Sequence, residues 1–521
     1  MLFSAFLIVL SFPPASLRPL AWIALVPLLV TLRRTTPGRA ALLGGLWGMA
    51  GAYGVTRWLP PAVAVYYHQP LWLGIGLFVS AAFVMGGIYY MAFAALYSAA
   101  GRARLLFLPV LAASFWVSAE LGRARVLTGN PWGLLGYTQA GGTWLAGAGG
   151  SLVSWAPISA LQVADFGGVY AVTFLVVLVN AALAELWLAL VHQLDRNRAL
   201  LRDGSVAIAL VLAGFVYGHA QLGEPLGESS ATVPIAIAQA NLDLGSQWNE
   251  SLYGRNLESY LELTIEAAQE ARPRVVYWPE NAMTFFVDRE PAWRRAVARI
   301  TRPHDIELLA GAPRYEEKAP DDVAYFNTAF VLSPAGEITA FYDKEQLLPF
   351  TEYFPFGSSS FLRRKFARVR EFTPGTRQAP METRAGKAGI VICNEAMFPR
   401  LAGARVAAGA EYLVNLSTDT WVSDPEFAEH QFNLVSLRAV ETRRFLVRAS
   451  TSGPSGVVDP YGRIVVRTDA FTRAHLAGEI RPIRHASFYS RHGDAFAVTC
   501  SLVTLLALVA VLIRRPRTIR G

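Results

Sequence analysis

The sequence is poor in cysteine and in charged side chains. Its two cysteines among 521 residues are too few for the disulfide framework of a small secreted domain. Its eight histidines show neither a His-Glu-x-x-His pattern nor a Cys/His ligand spacing, so we expect no bound metal and no cofactor. Charged residues make up 17% of the chain and hydrophobic residues 53%, which is too apolar for an ordinary soluble enzyme.

The apolar residues are unevenly distributed along the chain. They dominate residues 1–223 and 494–513, whereas residues 232–488 have the composition of a globular domain with a core of its own. We therefore predict a transmembrane helical domain of about seven spans, a globular domain and a C-terminal transmembrane helix. The candidate spans lie near residues 1–12, 19–32, 40–56, 71–97, 105–120, 166–190, 205–221 and 494–513.

Arginines beside the apolar segments predict the orientation in the membrane. If the N-terminus is cytoplasmic and every span crosses, twelve of them fall on the cytoplasmic side. The short outer loops then hold only Arg18, Arg57, Arg123 and Arg125. This bias places residues 232–488 outside, which is the periplasm in a Gram-negative cell. The arginines beside the apolar segments account for much of the net charge of +8. We therefore expect the membrane, and no nucleic acid, as a partner.

The globular region alternates β-rich runs with helical patterns. Strands are predicted at 233–242, 275–278, 307–313, 327–333, 338–343, 388–393, 411–416, 445–450, 455–458 and 463–467, and helices near 249–271, 291–301, 396–408 and 425–443. Close strand pairs mixed with αβ alternation favour an α/β sandwich over a simple parallel Rossmann sheet.

Three segments place reactive side chains at the ends of predicted strands or just after them. Glu280 follows one buried strand, Lys344 precedes a proline-bounded apolar loop, and Cys393 ends another strand. A partly desolvated carboxylate can act as a general base. A thiol that faces a helix N-terminus near a lysine is expected to have a lowered pKa. The three residues thus supply a base, a cation for a developing oxyanion and a nucleophile.

Each of these residues also has a purely structural interpretation. Taken alone, Cys393 would be a small core residue, and Glu280 would be a loop carboxylate that caps a helix. Lys344 by itself would be a solvated charge at a strand end. The functional interpretation therefore depends on the three segments occurring together in one chain.

The order of these segments resembles a known catalytic pattern. Trp278-Pro-Glu280 is followed by Tyr342-x-Lys344-x-x-Leu-x-Pro-Phe and then by Ile-Cys393-x-Glu395. This set resembles the Glu-Lys-Cys triad of the nitrilase superfamily. With the flanking spans, the chain resembles the apolipoprotein N-acyltransferase family over nearly its whole length. Further matching motifs are Phe12-Pro-Pro, Gln239-x-Asn241, Asp419-x-Trp421, Arg438-Ala-x-Glu441 and Gly493-Asp494.

The resemblance implies a fold and a set of site residues. The fold is a multi-pass α-helical membrane domain plus an α/β, nitrilase-like αββα sandwich. The implied catalytic residues are Cys393 as nucleophile, Glu280 as base and Lys344 as oxyanion stabiliser. The implied substrate-binding or supporting residues are Glu352, Trp248, Glu395 and Asn394.

The resemblance also implies a two-step, ping-pong acyl transfer. Cys393 would take a fatty acyl chain from a membrane phospholipid as a thioester. It would then pass that chain to the N-terminal amine of a diacylglyceryl-cysteine apolipoprotein, as lipoprotein maturation requires. Such an enzyme would lie in the bacterial inner membrane, and we expect a monomer. Apolar segments 283–287 and 354–356 could exclude water from the thioester, or could be ordinary core.

The chain departs from the family pattern at several positions. Asn394 stands where the family usually has Tyr, Thr351 where it commonly has Gly, and Thr418 where it has Asn. Two other functions therefore stay open. One is a membrane-tethered nitrilase-type amidase or acyltransferase with another acceptor, and the other is an inactive lipoprotein-binding paralogue.

Overall fold

The chain divides into two compact units. The computed structural model describes residues 1–141, 158–192, 197–224, 231–243, 250–319, 322–355, 371–376 and 379–514. The first unit comprises Met1–Pro60, Trp72–Glu224 and His492–Gly521. The second comprises Pro61–Leu71 and Pro225–Arg491.

The first unit is built from helices. Its main helices, with α4 continuing into the second unit, are α1 (Leu2–Ser11), α2 (Val26–Arg33), α3 (Pro37–Thr56), α4 (Leu59–Tyr66), α5 (Leu71–Ala82), α6 (Ile88–Arg102), α7 (Leu108–Arg125), α8 (Ala164–His192), α9 (Asn197–Gly223) and α15 (Ala495–Arg514). A π-helical turn, Phe83–Gly87, joins α5 to α6, and glycines interrupt the helical dihedrals of α8 at Gly167 and Gly168.

Four helices in the described part of the chain are long and apolar enough to cross a membrane: Leu71–Arg102, Ala164–Val191, Leu200–Gly223 and Ala495–Arg514. Many of their large apolar side chains are exposed, among them Leu212 and Leu506. Helices with this surface are suited to lipid, because every backbone polar group is satisfied within the helix. The first unit therefore has several apolar helices compatible with a membrane domain.

The remaining candidate spans form shorter or more polar elements. Residues 19–32 do not form one helix: the 3₁₀ helix Arg18–Trp22 is followed by the eight-residue α2. Pro19 and Pro27 lie in the first turns of these two elements. Because proline lacks an N–H donor and starts helices more readily than it continues them, the apolar run is divided.

Close helix contact in the first unit depends on small and aromatic residues. A Cβ added at Gly44 of α3 would lie 2.4 Å from the Tyr90 carbonyl oxygen of α6, so glycine is required for this approach. The Trp116 ring lies 5.3 Å from Trp47 and 4.9 Å from Tyr90, centroid to centroid. These rings form a buried cluster shared by α3, α6 and α7.

The second unit contains two six-stranded sheets. The first sheet has the order β12 (Ala474–Ile480), β1 (Val233–Gln239), β2 (Val275–Tyr277), β3 (Glu307–Ala319), β4 (Asp322–Leu332) and β5 (Ile338–Asp343). The second has the order β11 (Ile464–Arg467), β10 (Gly456–Val458), β9 (Leu446–Ser450), β8 (Tyr412–Ser417), β7 (Gly386–Ile392) and β6 (Met381–Thr383). Among the named strands, parallel pairing occurs between β1, β2 and β3 and between β7, β8 and β9.

The two sheets pack face to face with helices outside them. Side chains such as Tyr277 and Ile390 form one buried cluster between the sheets. The remaining helices of the second unit are α10 (Tyr253–Ala271), α11 (Pro291–Thr301), α12 (Pro399–Ala407), α13 (Pro425–Thr442) and α14 (Phe488–His492). Apolar residues of α10 and α11, including Leu263 and Val297, form a second cluster with the outer face of the first sheet. The predicted αββα sandwich is confirmed.

Two strands and part of a hairpin differ from the sequence prediction. β6 and β12 were not predicted, and β12 supplies the antiparallel partner of β1 along its whole length. The β3–β4 hairpin extends to Ala319 and Asp322, beyond the limits expected from hydrophobicity. Most of its extra residues are exposed, so cross-strand pairing contributes more to their strand conformation than burial does.

Candidate active site

Glu280 lies three residues beyond β2 and is 3% exposed. Its Oε1 accepts a hydrogen bond from Asn327 Nδ2 at 2.7 Å, and its Oε2 accepts one from the Thr418 backbone N–H at 2.9 Å. Burial raises the pKa of Glu280, the Lys344 ammonium lowers it, and Glu352 raises it again, with a net upward direction. A carboxyl group with a raised pKa is suited to accept a proton near neutral pH.

Lys344 directly follows β5 and is 1% exposed. Its Nζ lies 2.8 Å from Glu352 Oε2 and 3.6 Å from Glu280 Oε1. Burial by itself lowers the pKa of Lys344, but Glu352 and Glu280 raise it, and the net direction is upward. The amine is therefore a fixed cation between two carboxylates.

Asn327 of β4 connects the two carboxylates and was not singled out from the sequence. Its Nδ2 donates to Glu280 Oε1 at 2.7 Å and to Glu352 Oε1 at 2.8 Å. Its backbone carbonyl accepts from the Lys344 N–H at 2.9 Å. The signal that could have revealed it is a single amide within the buried end of an apolar strand, where a polar side chain needs partners.

Cys393 begins the 3₁₀ turn Cys393–Met397 immediately after β7. Its backbone φ of 50° lies in the left-handed region, which costs a non-glycine residue roughly 1–3 kcal/mol and is concentrated at functional sites. The thiol is free and buried, at 6% exposure. Asn415 Nδ2 donates to the Cys393 carbonyl at 3.4 Å, which ties this turn to β8.

The expected lowering of the Cys393 pKa is wrong for the protein in this state. Burial raises the pKa of the thiol, Glu280 raises it further, and only Lys344 among the main influences lowers it. The ammonium is already neutralised by two carboxylates, so it cannot offset the loss of water. The thiol is thus protonated at neutral pH, and the Glu280 carboxylate close to it is suited to take its proton.

Glu395 lies within the fold and is fully buried. Its Oε1 accepts from the Tyr342 hydroxyl at 2.8 Å and from the Glu345 N–H at 2.7 Å, while its Oε2 accepts from the Ile392 N–H at 2.6 Å. These bonds join the end of β7 to the residues after Lys344. The side chain therefore holds the cysteine and lysine segments together, and its oxygens are engaged by protein donors.

Asn394 is also buried beside the cysteine. Its Nδ2 donates to the Gln346 carbonyl at 3.1 Å, so it supports the same loop as Glu395. Its Oδ1 has no hydrogen-bond partner within the described residues. Trp248, the remaining predicted substrate-side residue, lies outside the described residues.

A buried ion pair lies behind the cysteine. Asp419 Oδ2 accepts from Arg448 at 2.7 Å and from Ser450 Oγ at 2.9 Å, and its Oδ1 accepts from Ser417 Oγ at 2.9 Å. Both members of the pair are almost completely buried. Because a buried pair with satisfied hydrogen bonds is rigid, this cluster orders the ends of β8 and β9 next to Thr418, the donor to Glu280.

The loop that carries Glu352 is held from a distant part of the chain. The Tyr67 hydroxyl donates to the Phe350 carbonyl, and Glu352 Oε2 accepts from the Leu348 N–H at 2.7 Å. Tyr66 lies edge-on to Trp421, with ring centroids 6.3 Å apart. Residues 61–71 therefore belong structurally to the second unit, which sequence reasoning did not anticipate.

The predicted water-excluding segments have different outcomes. Met283, Phe285 and Val287 are buried in the cluster under α10 and α11, so most of 283–287 is core, while Phe286 is partly exposed. Phe354 is 8% exposed, and Phe356 lies outside the described residues. Within the described residues no group of three or more His, Cys, Asp or Glu could hold a metal ion.

Together these groups make a compact acid–base site. A buried thiol, a carboxylate with raised pKa and an ammonium influence one another's ionisation. They can perform nucleophilic substitution at a carbonyl carbon, with proton transfer by the carboxylate and charge stabilisation by the ammonium.

Comparison with known proteins identifies the fold of the second unit. Residues 234–485 match the family model described as carbon-nitrogen hydrolase. Residues 4–182 match the one described as apolipoprotein N-acyltransferase N-terminal domain. Among solved structures, a nitrilase-superfamily amidase from Nesterenkonia is 18% identical, with a TM-score of 0.38 over 52% of this chain and 99% of that chain. The family model that matches residues 234–485, together with the two packed six-stranded sheets, shows that the second unit has the carbon–nitrogen hydrolase fold.

Relatives that match over the full length of the chain identify its family. The chain is 33% identical over 519 residues to the apolipoprotein N-acyltransferase of Geobacter metallireducens, covering 99% of this chain and 95% of that protein. It is 30% identical over 524 residues to that of Gloeobacter violaceus, covering 98% and 93%. The chain therefore belongs to the apolipoprotein N-acyltransferase family, a family of acyltransferases, and the resemblance inferred from its motifs is confirmed.

Proposed function

We propose that this protein transfers a fatty acyl chain from a membrane phospholipid to the N-terminal amine of diacylglyceryl-cysteine apolipoproteins. The observation that carries the proposal is the buried Lys344 between Glu280 and Glu352, electrostatically coupled to the Cys393 thiol. The family of the chain supports the lipoprotein as acceptor. The reaction is ping-pong, with a thioester on Cys393 as intermediate.

In the first step the thiol is acylated. Glu280 removes the Cys393 proton, and the thiolate attacks the ester carbonyl carbon of the phospholipid. The Lys344 ammonium stabilises the oxyanion of the tetrahedral intermediate. The ester C–O bond then breaks, the leaving alkoxide takes the proton from Glu280, and the lysophospholipid departs.

In the second step the acceptor is acylated. The α-amine of the diacylglyceryl-cysteine attacks the thioester carbonyl and gives a proton to Glu280. The same ammonium stabilises the second oxyanion, after which the C–S bond breaks and the amide forms. The departing sulfur recovers the proton from Glu280. Asn327, Glu352, Asn394 and Glu395 act on this chemistry by fixing the segments that carry the three reactive groups.

We further propose that residues 1–223 and 494–513 form the membrane domain and residues 232–488 the catalytic domain. The arginine distribution along the chain supports a catalytic domain on the periplasmic side of the bacterial inner membrane. Both proposed substrates are anchored in the outer leaflet in that orientation. One membrane-anchored copy of the chain contains every catalytic group named above, so we propose a monomer.

Mass spectrometry of the purified protein tests the proposal. After incubation with phospholipid, Cys393 should gain the mass of a fatty acyl chain, and added diacylglyceryl peptide should discharge it as N-acyl peptide. The Cys393→Ala variant should give neither signal. The Cys500→Ala variant is the matched control, because Cys500 is also free and buried but lies in α15, and it should give both signals.

The remaining functions correspond to other outcomes of this experiment. Discharge by water or a small amine in preference to the lipopeptide would identify an amidase or another acyltransferase. Absence of any acyl adduct would identify a non-catalytic lipoprotein-binding protein. Undiminished N-acyl peptide from Cys393→Ala would refute the thioester mechanism.

A further inference from the structure

The first unit contains a cavity with an apolar wall and one cationic side chain. Its volume is about 90 Å³, several times the roughly 10–15 Å³ that a single water needs. Phe78, Ala82 and Met85 contribute to the wall, and Arg123 lines the cavity beside Trp132. Glycines, which have no side chain to fill the space, also line the cavity.

Two of the lining glycines face empty space. A Cβ added at Gly51 of α3, or at Gly86 in the π-helical turn, would have no neighbouring heavy atom within 4 Å. Other buried glycines of this unit are in close contact, as Gly44 is with Tyr90. The cavity is therefore bounded by backbone that leaves room for another group.

Arg123 is buried beside this cavity, and part of its guanidinium lacks an acceptor among the residues that the structure describes. It is 7% exposed. Its Nε and Nη2 are buried and have no hydrogen-bond partner within the described residues. The described part of the chain also gives it no ion pair at 4.0 Å or less, and its contact with Tyr90 is a ring face 5.9 Å from the guanidinium carbon.

The carboxylate on the same helix does not supply the missing partner. Glu120 lies one turn before Arg123 on α7. Its Oε1 accepts from Trp116 Nε1 at 3.1 Å and from the Leu135 N–H at 2.7 Å, and its Oε2 accepts from Thr173 Oγ1 at 2.8 Å. All these donors are neutral groups of the protein. Arg123 attracts Glu120 electrostatically, but no hydrogen bond joins the two side chains in the described part of the chain, so Nε and Nη2 of Arg123 are left without an acceptor beside the cavity.

We propose that this cavity binds the phosphate of a phospholipid, with Arg123 as the phosphate ligand and the apolar wall against the glyceryl and acyl atoms. A guanidinium presents planar, forked donors that match phosphate oxygens. Arg123 lies two residues before the end of α7, and helix ends and tryptophans lie at headgroup depth in membrane proteins. A free phosphate would leave the apolar wall in contact with water.

Lipid binding to the full-length chain tests this inference. The Cys393→Ala background is used, so that acyl transfer cannot consume the probe. Native mass spectrometry in a phosphate-free detergent compares phosphatidylethanolamine, diacylglycerol with the same chains, and glycerophosphoethanolamine. Phosphatidylethanolamine should bind at least about 10-fold more tightly than either fragment, since each lacks one half of the interaction.

Variants of the cation and of the cavity wall make the test specific. Arg123→Gln should weaken phosphatidylethanolamine binding by about 10–100-fold, the effect of one lost charge-assisted contact. Arg39→Gln is the matched control, because Arg39 is exposed in the same unit. Gly51→Leu should weaken lipid binding by filling the cavity, whereas Gly76→Leu, at an exposed helical glycine with equally open space, should not.

Each outcome bears on the inference. If diacylglycerol binds as tightly as phosphatidylethanolamine, the cavity is not a phosphate site. If glycerophosphoethanolamine binds as tightly as phosphatidylethanolamine, the cavity is a general anion site and not a phospholipid site. Lipid binding unchanged in both Arg123→Gln and Gly51→Leu would also overturn the proposal. Binding is measured without turnover, so failure of the proposed acyl transfer would leave a positive result intact.

Discussion

Lys344 and Arg123 are both buried cations, with exposures of 1% and 7%, but their surroundings are opposite. The lysine is held by two carboxylates, and an asparagine ties those carboxylates together. The arginine has two nitrogen atoms without a described partner and lines a cavity. A buried charge is costly unless it is paired. The lysine thus has its charge partners within the protein. The arginine lacks acceptors for two of its nitrogen atoms among the described residues, which is the basis of our proposal that it binds a ligand.

The largest expected effect is that of removing the paired cation. Lys344→Met should lower acyl transfer by about 10²–10³-fold, because an oxyanion loses its stabilising charge. It should also destabilise the second unit by about 3–5 kcal/mol, since Glu280 and Glu352 are left buried without a cation. Acyl-transfer rates and thermal unfolding measure the two effects.

Lys387→Met is the control for this change. Lys387 pairs with Glu382 at 3.1 Å but is 48% exposed, and an exposed pair contributes little. Wild-type turnover in Lys344→Met would contradict the assigned role of the ammonium.

Removing the amide that connects the carboxylates should change the pH dependence. The hydrogen bond from Asn327 lowers the pKa of Glu280, so Asn327→Ala should raise that pKa further. A general base acts only when ionised, so the acid limb of the rate profile should move to higher pH. On that limb the rate should fall by about 10–100-fold, and kcat/KM measured against pH reports it.

Thr339→Val serves as the control for the asparagine. Its hydroxyl bonds only the Val331 carbonyl, at 3.3 Å, on the neighbouring strand. If the acid limb of the rate profile does not shift in Asn327→Ala, Asn327 does not control the pKa of the catalytic base.

A smaller effect on the rate is expected from removing the hydrogen bond between Tyr67 and the loop that carries Glu352. Tyr67→Phe removes the donor to the Phe350 carbonyl and keeps the ring. We expect a 2–10-fold fall in kcat, about the value of one neutral hydrogen bond, with little change in the melting temperature. Tyr53→Phe, at an exposed ring, should leave kcat unchanged. An equal fall in both variants would argue against a positioning role for Tyr67.

The smallest effect should come from the unpaired cation. In lipid-free detergent, Arg123→Met should change stability by no more than about 1 kcal/mol, because the desolvation cost of the buried guanidinium offsets its attraction to Glu120, and Glu120 keeps its three neutral donors. Thermal unfolding of this variant beside Lys344→Met measures the contrast directly. If both variants lose stability equally, Arg123 has a protein partner and the comparison fails.

Much of the architecture follows from local sequence properties. The runs around 71–102 and 495–514 are apolar over the length of a membrane, and most strands of the sandwich were recognised from hydrophobic alternation. The motifs around Glu280, Lys344 and Cys393 were visible because each combines a strand with a reactive residue. The structure brings the three segments together, while their catalytic roles stay a proposal.

Other features depended on contacts between residues far apart in the chain. β12 is a half-exposed edge strand and becomes recognisable only through its pairing with β1. The direction of the Cys393 pKa shift depends on burial and on charges contributed by other strands.

The sequence by itself determined the four long apolar helices and the class of fold, and it singled out Glu280, Lys344 and Cys393 as candidates, because these features depend on composition and spacing within short windows. Tertiary structure alone decided that Asn327 joins two carboxylates, that Glu395 holds the loop after Lys344, and that two nitrogen atoms of Arg123 line a cavity with no acceptor among the described residues. Each of these is a matter of which distant groups meet in a medium without water, where satisfied and unsatisfied polar atoms differ most in energy.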